Sequence, residues 1–348
     1  MRGCCLALLG AAVCLTGAEF RYREALPGYV YRFPADHFAH LDFRTEWWYY
    51  TGNVTDSNGK RFGFELVFFR QANRRGEDNP NQSAWRADDV YLAHSALTDI
   101  AGQHFYYSER TNRAGPGLAG VSLPRAEIWN GNWSAKWKGE KQSLHALTEE
   151  FEFDLHTEPV KPIVIHGFNG VSQKADGAGN ASHYVSFPRL RLNGTVKIGG
   201  ENHVVTGLAW MDHEWFTEQL DASETGWDWF SVQLEDNTEL MLFELRKKDG
   251  SIDPHSAGTY IDASGKAHHL TARDFTLKHV GYWGKYPVKW RIGVPALKVN
   301  LDCDAVIQNQ ELKTQGTNYW EGAVVYSGSH KGVGYLEMTG YGKPISFH

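Results

Sequence analysis

The chain has 348 residues, 42% hydrophobic, 22% charged and 14% aromatic, enough apolar material for one large or two ordinary cores, which excludes a disordered chain. Its 35 basic and 41 acidic residues leave a formal charge of −6, so the basic footprint of a nucleic-acid binder is missing. The 13 Trp and 36 Gly point to half-buried pleated strands joined by glycine turns, a mostly β protein.

Residues 1–18 read as a secretory leader, with an early charge at Arg2, an apolar run from Leu6 to Leu15, and small residues at Thr16, Gly17 and Ala18. The run is too short for the roughly 30 Å of a bilayer core. Cleavage after Ala18 is expected to give a periplasmic or secreted protein with no transmembrane segment. Cys4, Cys5 and Cys14 would leave with the leader, and Cys303 alone would remain, so no intramolecular disulfide is expected. The alternation Val299, Leu301, Cys303, Ala305 reads as a packed strand. N-x-S/T triplets begin at Asn53, Asn81, Asn132, Asn180 and Asn193 and matter only in a host that glycosylates.

From about residue 45 onward, period-two alternation and short aromatic runs predict strands, with little helical periodicity. A hairpin is expected between Trp47 to Thr55 and Arg61 to Arg70, turning at Asp56, Ser57, Asn58 and Gly59. A long exposed loop follows from Ala72 to Asp88, and another from Gln173 to Ser182. A second hairpin joins Trp227 to Leu234 with Glu239 to Arg246 across Asp236 and Asn237, and Asp249-Gly250 and Ser264-Gly265 continue the meander. Both hairpins open on aromatic clusters and close on arginine, which suggests a duplication.

Several motifs carry no chemistry. Gly115, Gly117 and Gly120 satisfy G-x-G-x-x-G, but Pro116 sits inside it, without a flanking strand and helix. No G-x-S-x-G, H-E-x-x-H or C-x-x-C occurs. The adjacent His268 and His269 would point to opposite faces of a strand, away from a shared metal.

The densest candidate is Gly207 to Phe216. As a strand it puts Trp210, Asp212, Glu214 and Phe216 on one face and Met211, His213 and Trp215 on the other. Two carboxylates in an aromatic setting disfavour each other's ionisation, so one could keep a proton near neutral pH and act as a general acid. A structural reading stays open, in which these groups bridge two domains through arginines such as Arg70 or Arg246 and through tyrosine hydroxyls. A metal site on His213 lacks a recognisable ligand set. Trp48, Tyr50, Trp227, Trp229, Tyr319 and Trp320 lie beside polar or turn residues, where the rim of an apolar pocket could form, and electron-rich rings there could stabilise a carbocation.

Seven blocks carry a family resemblance: Glu46-Trp-Trp-Tyr-Tyr-Thr-Gly52, Ala93-His94 with Thr98-Asp99, Tyr184-Val-Ser-Phe-Pro-Arg-Leu190, Trp210-Met-Asp-His-Glu-Trp215, Gly226-Trp-Asp-Trp-Phe-Ser231, Leu240-Met-Leu-Phe243 and Tyr319-Trp-Glu-Gly322. From about residue 30 to the end the chain resembles the AttH-like, hydroxyneurosporene synthase-like family. The resemblance implies an all-β fold of two lipocalin-like (calycin) barrels packed together, with an apolar pocket in or between them. Members of that family hydrate a terminal double bond of acyclic carotenoids, and fungal relatives shape polyene cyclisations. No cofactor and no metal are implied.

On the same resemblance the acid of the hydratase motif falls on Asp212, with His213 or Glu214 holding the attacking water. Glu214 is where this sequence departs from the hydratases. The candidate catalytic set is therefore Asp212, His213 and Glu214, and the candidate ligand-binding set Trp48, Tyr50, Trp210, Trp227, Trp229, Tyr319 and Trp320. The expected division is a leader at 1–18, one domain at 19–210 and another at 211–348, meeting near residues 205 to 220. Three functions stay open: a cofactor-independent hydratase or isomerase of isoprenoid-like lipids, a carrier of an apolar ligand working with an ABC transporter permease, and a structural or carbohydrate-binding module.

Overall fold

The computed structural model describes residues 21–73, 83 and 87–343. The expected leader, the triplet at Asn81 and most of the expected loop from Ala72 to Asp88 lie outside the described residues. Within them the chain is all-β, built as two antiparallel sheets, one a nearly closed barrel and the other a half-barrel. None of the described helices is long and apolar enough to cross a membrane.

The first sheet begins with β1 (Thr45–Asp56), β2 (Arg61–Ala72), β3 (Asp89–Asp99), β4 (His104–Arg113), β5 (Ala119–Ser122), β6 (Glu127–Asn130) and β7 (Trp133–Lys138). It continues with β8 (Lys141–Leu147), β9 (Phe151–Pro159), β10 (Val164–Ile165), β11 (Ser172–Gln173), β12 (Ala181–Ile198) and β13 (Glu201–Phe216). Its order is β4-β3-β2-β1-β13-β12-β9-β8-β7-β6-β5. Side chains bridge the two ends: Arg110 Nη1 donates to the Asn130 carbonyl at 3.2 Å, and Asn112 Nδ2 to Asn130 Oδ1 at 2.7 Å. Trp48, Tyr50, Phe64, Phe153 and Met211 fill the barrel.

The second sheet starts with β14 (Glu224–Leu234), β15 (Glu239–Lys247), β16 (Ala257–Ile261), β17 (Ala267–Thr271) and β18 (Thr276–Trp283). Then come β19 (Tyr286–Val294), β20 (Val299–Ala305), β21 (Glu311–Lys313), β22 (Asn318–Gly328) and β23 (Gly332–Met338). The order is β17-β16-β15-β14-β23-β22-β20-β19-β18. Its core holds Phe230, Trp290, Leu301, Trp320 and Cys303, whose thiol is buried. The change of sheet comes after Phe216, because β13 pairs with β1 as far as Thr45↔Phe216. The expected division between residues 210 and 211 therefore falls inside a strand.

Both expected hairpins form. In the first turn Asp56 Oδ1 accepts the backbone N–H of Asn58 and of Lys60 at 2.8 and 2.9 Å, and Gly59 takes φ +82°, a left-handed conformation open to glycine. Their registers match: Glu46↔Arg70 and Trp47↔Phe69 in β1 and β2 correspond to Gly226↔Arg246 and Trp227↔Leu245 in β14 and β15. Corresponding residues also meet where the sheets pack. Trp47 stacks on Trp227 with centroids 6.5 Å apart, and Tyr49 meets Trp229 edge to face at 5.3 Å. Such like-on-like contact is what a two-fold arrangement of two similar units produces, and it supports the duplication reading.

The two sheets are joined by polar as well as aromatic contacts. Glu239 on β15 is fully buried and receives Lys161 Nζ at 2.7 Å and Arg189 Nε, both from the first sheet's side. Gln233 Nε2 donates to the carbonyls of Pro188 and Ala209 at 2.8 and 2.9 Å. At Gly63 a side chain would lie 2.6 Å from the Cβ of Ala323 on β22, so glycine sets how closely the sheets approach there.

Candidate functional site

β13 presents its residues as period two requires. Trp210 packs in the cluster between the sheets, and Met211 packs in the barrel. Asp212 therefore faces the junction of the sheets, fully enclosed. Its Oδ2 accepts the Tyr184 hydroxyl at 2.6 Å, and its Oδ1 accepts from Ser186 and from the Trp210 indole. Tyr184 in turn receives Trp229 Nε1 at 3.0 Å, and Ser186 bonds His166 Nε2 at 2.7 Å, whose Nδ1 meets Thr259 Oγ1 at 2.8 Å. Burial pushes the Asp212 carboxyl up to about 7; the three hydrogen bonds pull the other way, and Glu214 adds to the rise. Burial holds His166 well below the usual histidine range, so it is a neutral ring.

Glu214 lies on the same face, accepting from Ser182 and, at 2.8 Å, from Gln219 Nε2. Its charge partner is Lys174, 3.4 Å away, a buried amine from the segment expected to be a loop. The ammonium sits 3.9 Å from the Phe243 ring centroid and 5.2 Å from that of Tyr184. Burial lowers the Lys174 pKa while Glu214 opposes the shift.

His213 faces the other way. Its Nε2 lies 2.9 Å from Glu46 Oε1, and its ring stacks on Trp48. The alternation that brings Asp212 and Glu214 together therefore keeps His213 from any water shared with them, and the expected water-holding role of His213 does not fit this geometry. The expected bridges to Arg70 and Arg246 do not reach Asp212 or Glu214: Arg70 pairs with Glu46 and Asp89 inside the first sheet, and Arg246 with Asp228 inside the second.

The expected ligand-binding aromatics separate into three places. Trp210, Trp229 and Trp227 belong to the cluster between the sheets, and Tyr319 is there through His94 Nδ1, 2.6 Å from its hydroxyl. Trp48 and Tyr50 are turned into the barrel core and Trp320 into the core of the second sheet, all three without exposed surface. Large apolar faces gain more from full burial than from a rim. A polar groove lies elsewhere, on the outer wall of the barrel, lined by Arg125, Trp129, Lys136, His145, Asp154 and His156.

Sequence reasoning missed three further acids at the junction: Glu65 on β2, Glu321 on β22 and Glu337 on β23. The Tyr49 hydroxyl donates to Glu321, Trp227 Nε1 to Glu337 at 3.1 Å, and Tyr319 lies 3.4 Å from Glu65. Burial, and then Glu337, push Glu65 up to about 8. Glu337 is likewise pushed up to about 8 by burial, with Glu214, Asp212 and Asp228 contributing against the Trp227 hydrogen bond. Glu321 is raised well above the usual range by burial and by both neighbours. The one available signal was a charged residue within an apolar strand run, as in Phe64-Glu65-Leu66. The arrangement can hold protons, out of bulk water, against aromatic surface.

The sequence profile of the AttH-like family matches residues 24–341. The chain belongs to the AttH-like family. Among solved structures it is similar to a provisionally assigned AttH from Nitrosomonas europaea, with 33% identity over 92% of this chain and 99% of that one and a TM-score of 0.84. The AttH-like fold extends to kievitone hydratase from Nectria haematococca, at 14% identity, 92% and 97% coverage and a TM-score of 0.66. It also extends to CghA solved with Sch210972, at 11% identity, 95% and 98% coverage and a TM-score of 0.54. No curated protein matches the sequence. The AttH-like assignment and these neighbours agree with the lipocalin-like resemblance.

Proposed function

We propose that this AttH-like protein is a cofactor-independent hydratase, a hydro-lyase acting on a carbon–carbon double bond of an apolar, isoprenoid-like lipid, with Asp212 as the general acid. The observation that carries the reading is the enclosed Asp212 carboxyl, pushed up to about 7 and fixed by Tyr184, Ser186 and Trp210 beside aromatic rings. An acid of that strength is half protonated near neutrality, where proton donation to carbon is efficient. The kinship in fold with an enzyme named a hydratase supports the same class.

In the proposed reaction Asp212 gives its proton to one alkene carbon, and the π pair becomes the new C–H bond. The cation left on the neighbouring carbon is stabilised by Trp210, Trp229 and Tyr49. Water bonds to that carbon, Glu214 takes the released proton, and its return to Asp212 resets the site. Export by residues 1–18 to a periplasmic or extracellular setting belongs to the same proposal. The rival is a non-catalytic carrier serving an ABC transporter permease.

The test is to incubate the protein and Asp212→Asn with an apolar lipid extract containing acyclic carotenoids and analyse products and bound lipid by mass spectrometry. The hydratase predicts a product heavier by one water, formed about 10²- to 10⁴-fold more slowly by Asp212→Asn. Lipid bound by both proteins without conversion would reject hydration of those substrates and favour the carrier.

A further inference from the structure

On the opposite face of β13 from Asp212, the fully buried Glu46 divides its two oxygens between different kinds of partner. Oε2 accepts the backbone N–H of His40 at 2.9 Å and Arg70 Nε at 3.0 Å. Oε1 faces two imidazole nitrogens, His40 Nδ1 at 2.7 Å and His213 Nε2 at 2.9 Å, with the backbone N of His40 at 3.2 Å. The rings are clamped, His40 flat on Trp215 at 3.8 Å and 3°, His213 on Trp48 at 4.8 Å and 20°.

Each outer nitrogen also has a setting. His40 Nε2 lies 3.4 Å from Asp36 Oδ1, and Asp36 is itself fixed by the Arg32 N–H at 2.6 Å. His213 Nδ1 is fully buried without a close hydrogen bond, and the ring interacts with the Asp36 backbone. If both rings present N–H to Oε1, neutral His213 keeps a bare acceptor at Nδ1 on a fully buried ring, which is costly.

We propose that His40 Nδ1, Glu46 Oε1 and His213 Nε2 hold one divalent transition cation of borderline softness, of the Zn²⁺ kind, tying the segment around Asp36 to His40 onto β1 and β13. This departs from the metal-free expectation of the sequence. Two imidazoles and one carboxylate are a ligand set such cations accept, with solvent in the fourth position. The three ligand atoms lie within 4.8 Å of one another. Bond lengths of about 2.0 to 2.2 Å put tetrahedral ligands roughly 3.3 Å apart, so the two short spacings open by about half an ångström on binding. The cation takes the place of the His40 Nδ1 proton, which is released, while the His213 hydrogen moves from Nε2 to Nδ1, toward the Asp36 backbone. Asp36 keeps the His40 Nε2–H, the usual carboxylate support of a ligating histidine.

Two further trios bring ligand atoms within the same span, His145, Glu152 and Asp154 on the outer wall and Asp228, Glu244 and His279 on the second sheet. The test therefore uses an untagged background protein carrying His145→Ala and His279→Ala, titrated with Zn²⁺ by calorimetry and by thermal melting. One equivalent per chain and a raised Tm are expected, with affinity lowered at least about 100-fold by a further His40→Gln and roughly tenfold by Asp36→Asn. Failure of the background protein to bind one equivalent, or binding that His40→Gln leaves unchanged, would overturn the site. Should His40→Gln not fold, X-ray absorption of the Co²⁺-loaded background protein reads the ligands directly: two imidazoles are expected, and a shell with fewer rejects the proposal.

Discussion

Asp212 and Glu337 occupy matching positions in the two sheets. Asp212 stands opposite Tyr49 on the β1–β13 pair, Glu337 stands opposite Trp229 on the β14–β23 pair, and Tyr49 and Trp229 are themselves counterparts in contact. Their outer neighbours correspond as well, Ser186↔Asp212 and Glu321↔Glu337. The halves have diverged in what surrounds the acid. Asp212 receives three side-chain donors, whereas Glu337 has the Trp227 indole and two other carboxyls nearby.

The pH dependence of turnover follows from Asp212. Its proton is the reagent, and with a pKa near 7 the proton is present below that value and lost above it. The rate of hydration is expected to fall as pH rises through about 7, approaching tenfold per pH unit on the alkaline side, as a pH–rate profile would record.

Removing Lys174 should move that limb. Lys174→Met takes away the cation beside Glu214, strengthening the repulsion that keeps Asp212 protonated, so the alkaline limb shifts upward. Glu214 is left buried without its charge partner, at a cost of about 3 kcal/mol in denaturant unfolding. An unshifted limb would exclude an electrostatic role for Lys174.

Stability should also report the buried glutamates. In the folded chain Glu65 and Glu337 keep their protons up to about 8, against 4.5 when exposed, so the native state binds more protons than the unfolded state across that interval. Stability is therefore expected to decline as pH rises from about 4.5 to about 8, by up to ~1.4 kcal/mol per pH unit for each group. Glu65→Gln should flatten the slope in chemical unfolding measured at several pH values.

The fit between the sheets can be tested at Gly63. Gly63→Val would drive its side chain against Ala323 and cost about 1 to 3 kcal/mol. Ala323→Gly in the same chain should recover part of that loss in a double-mutant cycle, whereas additive losses would place the strain elsewhere.

The sequence made both hairpins, the β class and the two faces of β13 legible, because turn chemistry and alternation are local signals. The end of the first sheet was not legible: Trp210 to Phe216 reads as one strand whichever sheet it joins, and its partners Thr45 to Tyr50 lie far back in the chain. Nor could the sequence reveal that Glu321 meets Tyr49, 272 positions away. The full burial of Trp48, Tyr50 and Trp320 was not legible for a related reason. Glu321, next to Trp320 in the chain, lies on the opposite face of β22 and says little about what surrounds that ring, while Glu46 shares the face of Trp48 and Tyr50 and is itself buried with them, paired with Arg70 and His213.

Cys303 sits between Trp290 on β19 and Tyr326 on β22, with its thiol buried and burial pushing it well above the usual cysteine range. A thiol that is both shielded and protonated does not react with alkylating reagents while the half-barrel stays closed. In a chain freed of residues 1–18 it becomes a built-in clock: the rate at which a maleimide marks it counts how often the second half of the molecule opens, independently of events in the first.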